Sequence, residues 1–318
     1  MKKQLKALIL FSAMILTLAA CKKETQSNTS AVNGATFFKS SAPAMQTFTI
    51  NAGQQTTITG TNGTKVTFYP SSLKNSSGTV ITSGQVKIEL QEMLKGSDMI
   101  LANMATTSDG KLLISGGQIN LKVSQNGEEL FVNQAGKPKV SIPTINQSQP
   151  MNVFVGQVIP PDTIGSDTTV NWVPADTTVV ITPTPDTTLA TPANVYSFDI
   201  TQFHYINCDY FYGSGQTLTG LTVTLPSQYT HTNTRVYIYF PSINSITRVS
   251  GYGGSNIFNL TSNYRAPVGM QVKVVVVSWI GVQYYYDIQS VTLTANMQIT
   301  STPAAASLSA IQAAISAL

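Results

Sequence analysis

Short runs in which apolar and polar residues alternate, interrupted roughly every ten residues by glycine-containing turns, constrain this chain to β-sheet. Gln85-Val-Lys-Ile-Glu-Leu-Gln91 places Val86, Ile88 and Leu90 on one face of a strand and Lys87 and Glu89 on the other. Ile119, Leu121 and Val123 repeat the pattern one segment later. Asn126-Gly127 separates Leu121-Lys-Val123 from Leu130-Phe-Val132, and Asn62-Gly63 separates Thr56-Thr-Ile58 from Val66-Thr-Phe68. Asn-Gly between alternating runs is a strong hairpin signal, because both residues tolerate positive φ. About seven such strands between residues 46 and 145 suit an antiparallel sandwich.

Composition excludes several other classes. Only 10% of the 318 residues are charged, and Thr, Ser, Asn and β-branched residues are abundant, which argues against coiled coil, helical bundle and charge-driven disorder. The formal charge of +4 includes Lys2, Lys3 and Lys6, which lie in a segment read below as removed. A nearly neutral chain lacks the cations that phosphate contacts require, so no nucleic-acid partner is expected.

Residues 1–20 have a basic start and an apolar run from Ala7 to Leu18, too short for a ~30 Å hydrocarbon core, and read as a secretion signal. Leu18-Ala-Ala-Cys21 resembles the lipobox of bacterial lipoproteins. The resemblance implies cleavage after Ala20 and acylation of the Cys21 thiol, with membrane lipid as the partner. The absence of Asp at position 22 implies forwarding to the outer membrane, on its periplasmic or its outer face. Residues 21–45 then read as a flexible tether.

A second region differs in composition. All but one of the 13 Tyr and both Trp lie after residue 150, whereas 14 of the 18 basic residues lie before residue 140. The expected fold is therefore all-β: two tandem antiparallel β-sandwich-like domains with a short C-terminal helix. The first spans 46–145 and the second 193–300, joined by an Asp/Thr/Pro-rich connection over 146–192 with some strand. In the second, Gln271–Ile280, Tyr284–Ile288 and Val291–Asn296 read as a meander. Within 301–318, Leu308, Ile311, Ile315 and Leu318 fall on one side of a helix capped by Ser307, expected to be the only helix of note.

The motifs Asn62-Gly-Thr-Lys-Val66, Gly84-Gln-Val-Lys-Ile-Glu-Leu-Gln-Glu-Met93, Asp98-Met-Ile100, Ser115-Gly-Gly-Gln118 and Ile142-Pro-Thr144 resemble a module of uncharacterised Bacteroidota lipoproteins. Its pattern is similar to the β-sandwich of ankyrins and netrin receptors. Phe203–Phe211 and Pro267–Lys273 resemble the companion part of the same lipoproteins. The resemblance implies address and fold, with no defined activity. Some relatives of that sandwich cleave themselves at His-Phe-Ser or His-Leu-Thr. The tripeptides His204-Tyr-Ile and His231-Thr-Asn lack the required hydroxyl, so self-cleavage is not expected.

No catalytic residue, metal ligand set or cofactor site stands out. The two His are 27 residues apart with no zinc-like spacing, and Cys208 reads as a small buried apolar residue. Glu89 and Glu92, three positions apart on a strand, point to opposite faces, and Glu89 sits beside Lys87 as an ion pair. A hydrolase using Asp199 and Asp209 is the alternative from the enzyme class. The Asp-Thr tripeptides beginning at Asp162, Asp167, Asp176 and Asp186 resemble the acceptor of O-glycosylation in Bacteroidota, making Thr163, Thr168, Thr177 and Thr187 candidate sugar sites. A plain acidic loop is the other reading, and irregular calcium binding a weaker third. Tyr205, Tyr210, Tyr212, Tyr252 and Tyr285 are candidate aromatics for a glycan or an envelope protein, or else ordinary strand residues. The expectation is a non-catalytic lipid-anchored envelope protein presenting a binding or structural surface.

Overall fold

The computed structural model describes residues 31–318 apart from 145–148, 160–168, 189–192, 214, 216 and 261–264. Residues Ala31–Leu318 form one compact unit, and its architecture is all-β, with three short α-helices among the described residues. The alternation read from sequence is realised: Val86, Ile88 and Leu90 are buried, while Lys87 and Glu89 face outward as an ion pair with Nζ and Oε1 2.8 Å apart. At the Asn126-Gly127 turn both residues adopt positive φ, 52° and 87°, which only such residues accept without strain.

The first sandwich is assembled from more of the chain than residues 46–145. Its larger sheet runs Gln46–Asn51, Gln85–Met93, Lys111–Gln125, His204–Phe211, Met151–Ile159, Thr169–Ile181, with every pairing along this path antiparallel. The facing sheet runs Thr184–Asp186, Ala193–Asp199, Lys139–Pro143, Lys65–Phe68, Thr56–Thr59. Strands from 151 to 211 thus complete both sheets, and the expected boundary at residue 193 is corrected to a point beyond 211. The reason is register. Phe198 lies opposite Val140 and Tyr196 opposite Ile142, so the apolar face of the Ala193–Asp199 strand can be buried only against the first core. The connection over 146–192 holds the 13-residue Thr169–Ile181 strand, with Pro174 accommodated because that strand lies at the sheet edge.

The second sandwich pairs a five-stranded sheet (Ser245–Arg248, Thr234–Phe240, Gln271–Ile280, Gln283–Thr292, Ala304–Ala306) with a four-stranded one (Gly251–Gly254, Ile257–Asn259, Leu221–Thr224, Met297–Thr300). Leu221–Thr224 and Met297–Thr300 run parallel, an exception to the antiparallel rule. The expected meander is reduced to a hairpin: Gln283–Thr292 is one continuous strand, after which the chain crosses to the other sheet.

A third apolar layer joins the two sandwiches. Val274 and Val276 enter the second core, while Val275 and Val277 on the opposite face belong to the same apolar layer as Phe154 and Trp172 of the first sandwich. This explains why the Gln271–Ile280 strand carries the unbroken apolar run Val274–Val277: both of its faces are covered. Three helices fill the layer. The C-terminal one, α3 (Leu308–Ser316), has Ser307 Oγ accepting from the Ala310 amide at 3.2 Å, and it buries Ile311 and Ile315 as its spacing predicts. The other two, α1 (Gly34–Ser41) and α2 (Gly96–Leu101), correct the expectation of a single helix. Helix α1 also corrects the tether, which cannot extend to residue 45. Asn33 and Thr36 form a reciprocal capping box, and Phe37 and Phe38 are buried beside Tyr284, Tyr237 and Trp279.

Candidate binding site

Among the described residues, Cys208, Asp209 and Glu92 are committed to the fold. Cys208 is fully buried between the sheets of the first sandwich, and burial pushes its thiol pKa well up. Its neighbour Asp209 is equally enclosed, and its pKa is well above the usual carboxylate range because burial outweighs the hydrogen bonds it receives. One of these comes from Asn207 Nδ2 to Oδ2 at 2.5 Å. Asp199 is exposed, on a strand of the opposite sheet. The structure does not bring Asp199 and Asp209 to a common cleft.

Glu92 is 1% exposed and accepts from the backbone amides of Asn62 and Thr64, each at 2.9 Å, and from Gln46 Nε2 at 2.8 Å. It locks the Asn62-Gly63 turn onto the larger sheet. His204, at φ 70°, has Nε2 2.5 Å from Glu129 Oε1, with both side chains exposed. His231 lies against the Tyr252 ring, 4.8 Å between centroids. Among the described residues, no group of three or more His, Cys, Asp or Glu is placed to hold a metal.

The five candidate tyrosines do not share a platform. Tyr205 packs, partly buried, into the layer between the sandwiches, and burial raises its phenol pKa. Tyr212 and Tyr285 pack against the second core, where Tyr285 meets Tyr229 edge-on at 5.5 Å. Tyr252 is 39% exposed but engaged with His231 and Phe258, and Tyr210 is 46% exposed on another strand. Period-two alternation scatters them over different faces.

Cys21, Thr163 and Thr168 lie outside the described residues. The backbone of Thr177 runs within the Thr169–Ile181 strand. Thr187 is exposed in a turn beside Asp186, whose carboxylate accepts from Lys65 Nζ at 2.7 Å and the Thr188 amide at 2.9 Å. The Lys65 bond, followed by those from Thr188, holds the Asp186 pKa down to about 2.

Two open hollows lie elsewhere. The larger, about 670 Å³, is lined by Met270, Val272, Lys273, Ser290 and Val291 among others, and Lys273 Nζ is spent on Ser290 Oγ at 2.7 Å. The smaller, about 380 Å³, surrounds Phe131, which is 41% exposed, with Lys74, Asn75, Gln134 and Gln202 around it. No motif marked these residues, because three separate stretches of the chain supply them. One signal was present: in Leu130-Phe-Val132, a strand that turns Leu130 and Val132 inward must turn Phe131 outward. No protein-family model matches this chain, and a search of the curated proteins finds no similar sequence.

Proposed function

We propose that this chain is a non-catalytic envelope protein, anchored to the outer membrane through lipid on Cys21, that presents a β-sandwich surface for binding a glycan or another envelope protein. The observation that carries the binding role is a division of labour among polar groups. Asp209, Cys208 and Glu92 are withdrawn into the sheets, whereas the polar groups around Phe131 open to solvent in a hollow of ligand size. The enzymatic alternative finds no support in the separate placements of Asp199 and Asp209.

The address rests on the sequence around Cys21 and is tested on its own. Cys21→Ser should move the protein out of the envelope fraction, and unchanged fractionation would overturn lipid anchoring. Binding is tested on the acylated full chain in a non-sugar detergent, by glycan array and by pull-down from envelope extracts. Capture of a defined glycan or envelope protein is expected, and two negative results would overturn the binding role. Thr187, the one candidate whose exposure is described, is open to solvent. Unmodified peptides at all four threonines in native protein would reject that modification.

A further inference from the structure

Residues Leu73–Lys74 and Phe131–Val132 form a two-residue antiparallel ladder, with Leu73 opposite Val132 and Lys74 opposite Phe131. Leu73 and Val132 are buried in the first core. Alternation therefore sets Lys74 and Phe131 side by side on the outer face, at cross-strand contact distance. On its other side Lys74 is bridged to Val80, itself 37% exposed. With its backbone paired on both sides, Lys74 offers no free edge for strand addition, so recognition here must pass through side chains.

The polar groups around Phe131 retain capacity that the fold does not use. Asn75 Oδ1 is consumed within its own turn, accepting from Ser77 Oγ at 2.7 Å and the Thr79 amide at 2.9 Å, which leaves its NH₂ as a donor. Gln134 Nε2 donates to the Thr201 carbonyl at 2.8 Å, fixing that side chain and leaving Oε1 as an acceptor. Lys74 Nζ and both ends of the Gln202 amide make no hydrogen bond or ion pair among the described residues. An exposed aromatic face encircled by amide donors and acceptors suits a pyranose, whose C–H face covers the ring while its hydroxyls take paired hydrogen bonds. The described lining holds a cation and no carboxylate, which favours a ligand with negative charge.

We propose that the hollow around Phe131 binds an acidic saccharide, its ring stacked on Phe131 and its carboxylate met by Lys74. This rests on the reading of the chain as a binding protein and names the ligand class and the site. The test is isothermal titration of the acylated full chain, in a zwitterionic non-sugar detergent, with tetragalacturonate, hyaluronan tetrasaccharide and neutral maltotetraose. At least one acidic probe should bind more tightly than maltotetraose. Phe131→Ala and Lys74→Gln should each weaken that binding by about tenfold or more, and Tyr210→Ala should leave it unchanged. Each variant's unfolding midpoint, close to that of the parent, would show the fold intact. The site is overturned if neither acidic probe binds, if maltotetraose binds as tightly, or if Phe131→Ala has no effect. Array or pull-down binding that survives Phe131→Ala would overturn this site while leaving the broader binding role standing.

Discussion

Glu92 shows how one residue can decide a local structure. A buried carboxylate is stable only where hydrogen bonds replace its lost hydration, and here the two backbone amides of a hairpin turn and the Gln46 amide do so. Glu92→Ala strands those N–H groups and should cost about 2–3 kcal/mol in urea unfolding, with Glu92→Gln costing less. Asp209 and Asp186 predict opposite pH behaviour. Asp209 has a raised folded pKa, so between the ordinary carboxylate range and that raised value the folded state holds the extra proton and stability falls as pH rises. Asp209→Asn should remove this loss and stabilise the protein more at pH 7 than at pH 4. Asp186 is depressed to about 2, so its contribution is present above the ordinary carboxylate pKa and is lost as pH falls toward 2. Unfolding midpoints measured from pH 5 down to 2 should fall less steeply for Asp186→Asn than for the parent.

Among the elements, α1 is the most dependent on its surroundings. An eight-residue helix with Gly, Thr and Ser among its residues would not persist alone, and its stability comes from the capping box and from burying Phe37. Phe37→Ala should cost about 3–5 kcal/mol and Asn33→Ala about 1 kcal/mol. Amide exchange should show both variants losing protection in α1 before the sheets. Helix α3 carries a legible signal, with four apolar residues at helical spacing behind a serine cap, whereas α1 presents only adjacent phenylalanines in a polar stretch. A period needs several turns to be read, and α1 has barely two.

At the scale of the whole molecule the two sandwiches are joined by buried hydrogen bonds as well as apolar packing. Asn244, in left-handed conformation at φ 48°, accepts from the Gly96 amide at 2.8 Å and donates to the Leu94 carbonyl at 2.8 Å. The Thr106 and Ile246 backbones are bonded at 2.9 Å. Asn244→Ala should therefore destabilise by about 2–3 kcal/mol while leaving both sandwich cores intact, measurable as a lower urea midpoint with unchanged circular dichroism. A fragment ending at residue 145 lacks three strands of the larger sheet and two of the facing one, and should fail to give cooperative unfolding. A fragment ending at 211 removes the residues of the second sandwich that complete the apolar layer around Phe154 and Trp172, and should expose an aggregation-prone face.

The sequence by itself determined the all-β class, the inward faces of the strands, the Asn-Gly turn and the C-terminal helix, because each rests on residues close together in the chain and on a fixed side-chain period. Tertiary structure alone decided that strands from residues 151 to 211 belong to the first sandwich and that α1 docks in the layer between the sandwiches. It also decided that Phe131, Lys74, Asn75, Gln134 and Gln202 line one hollow. These depend on which apolar faces find partners far along the chain, and long-range pairing leaves no local period to read.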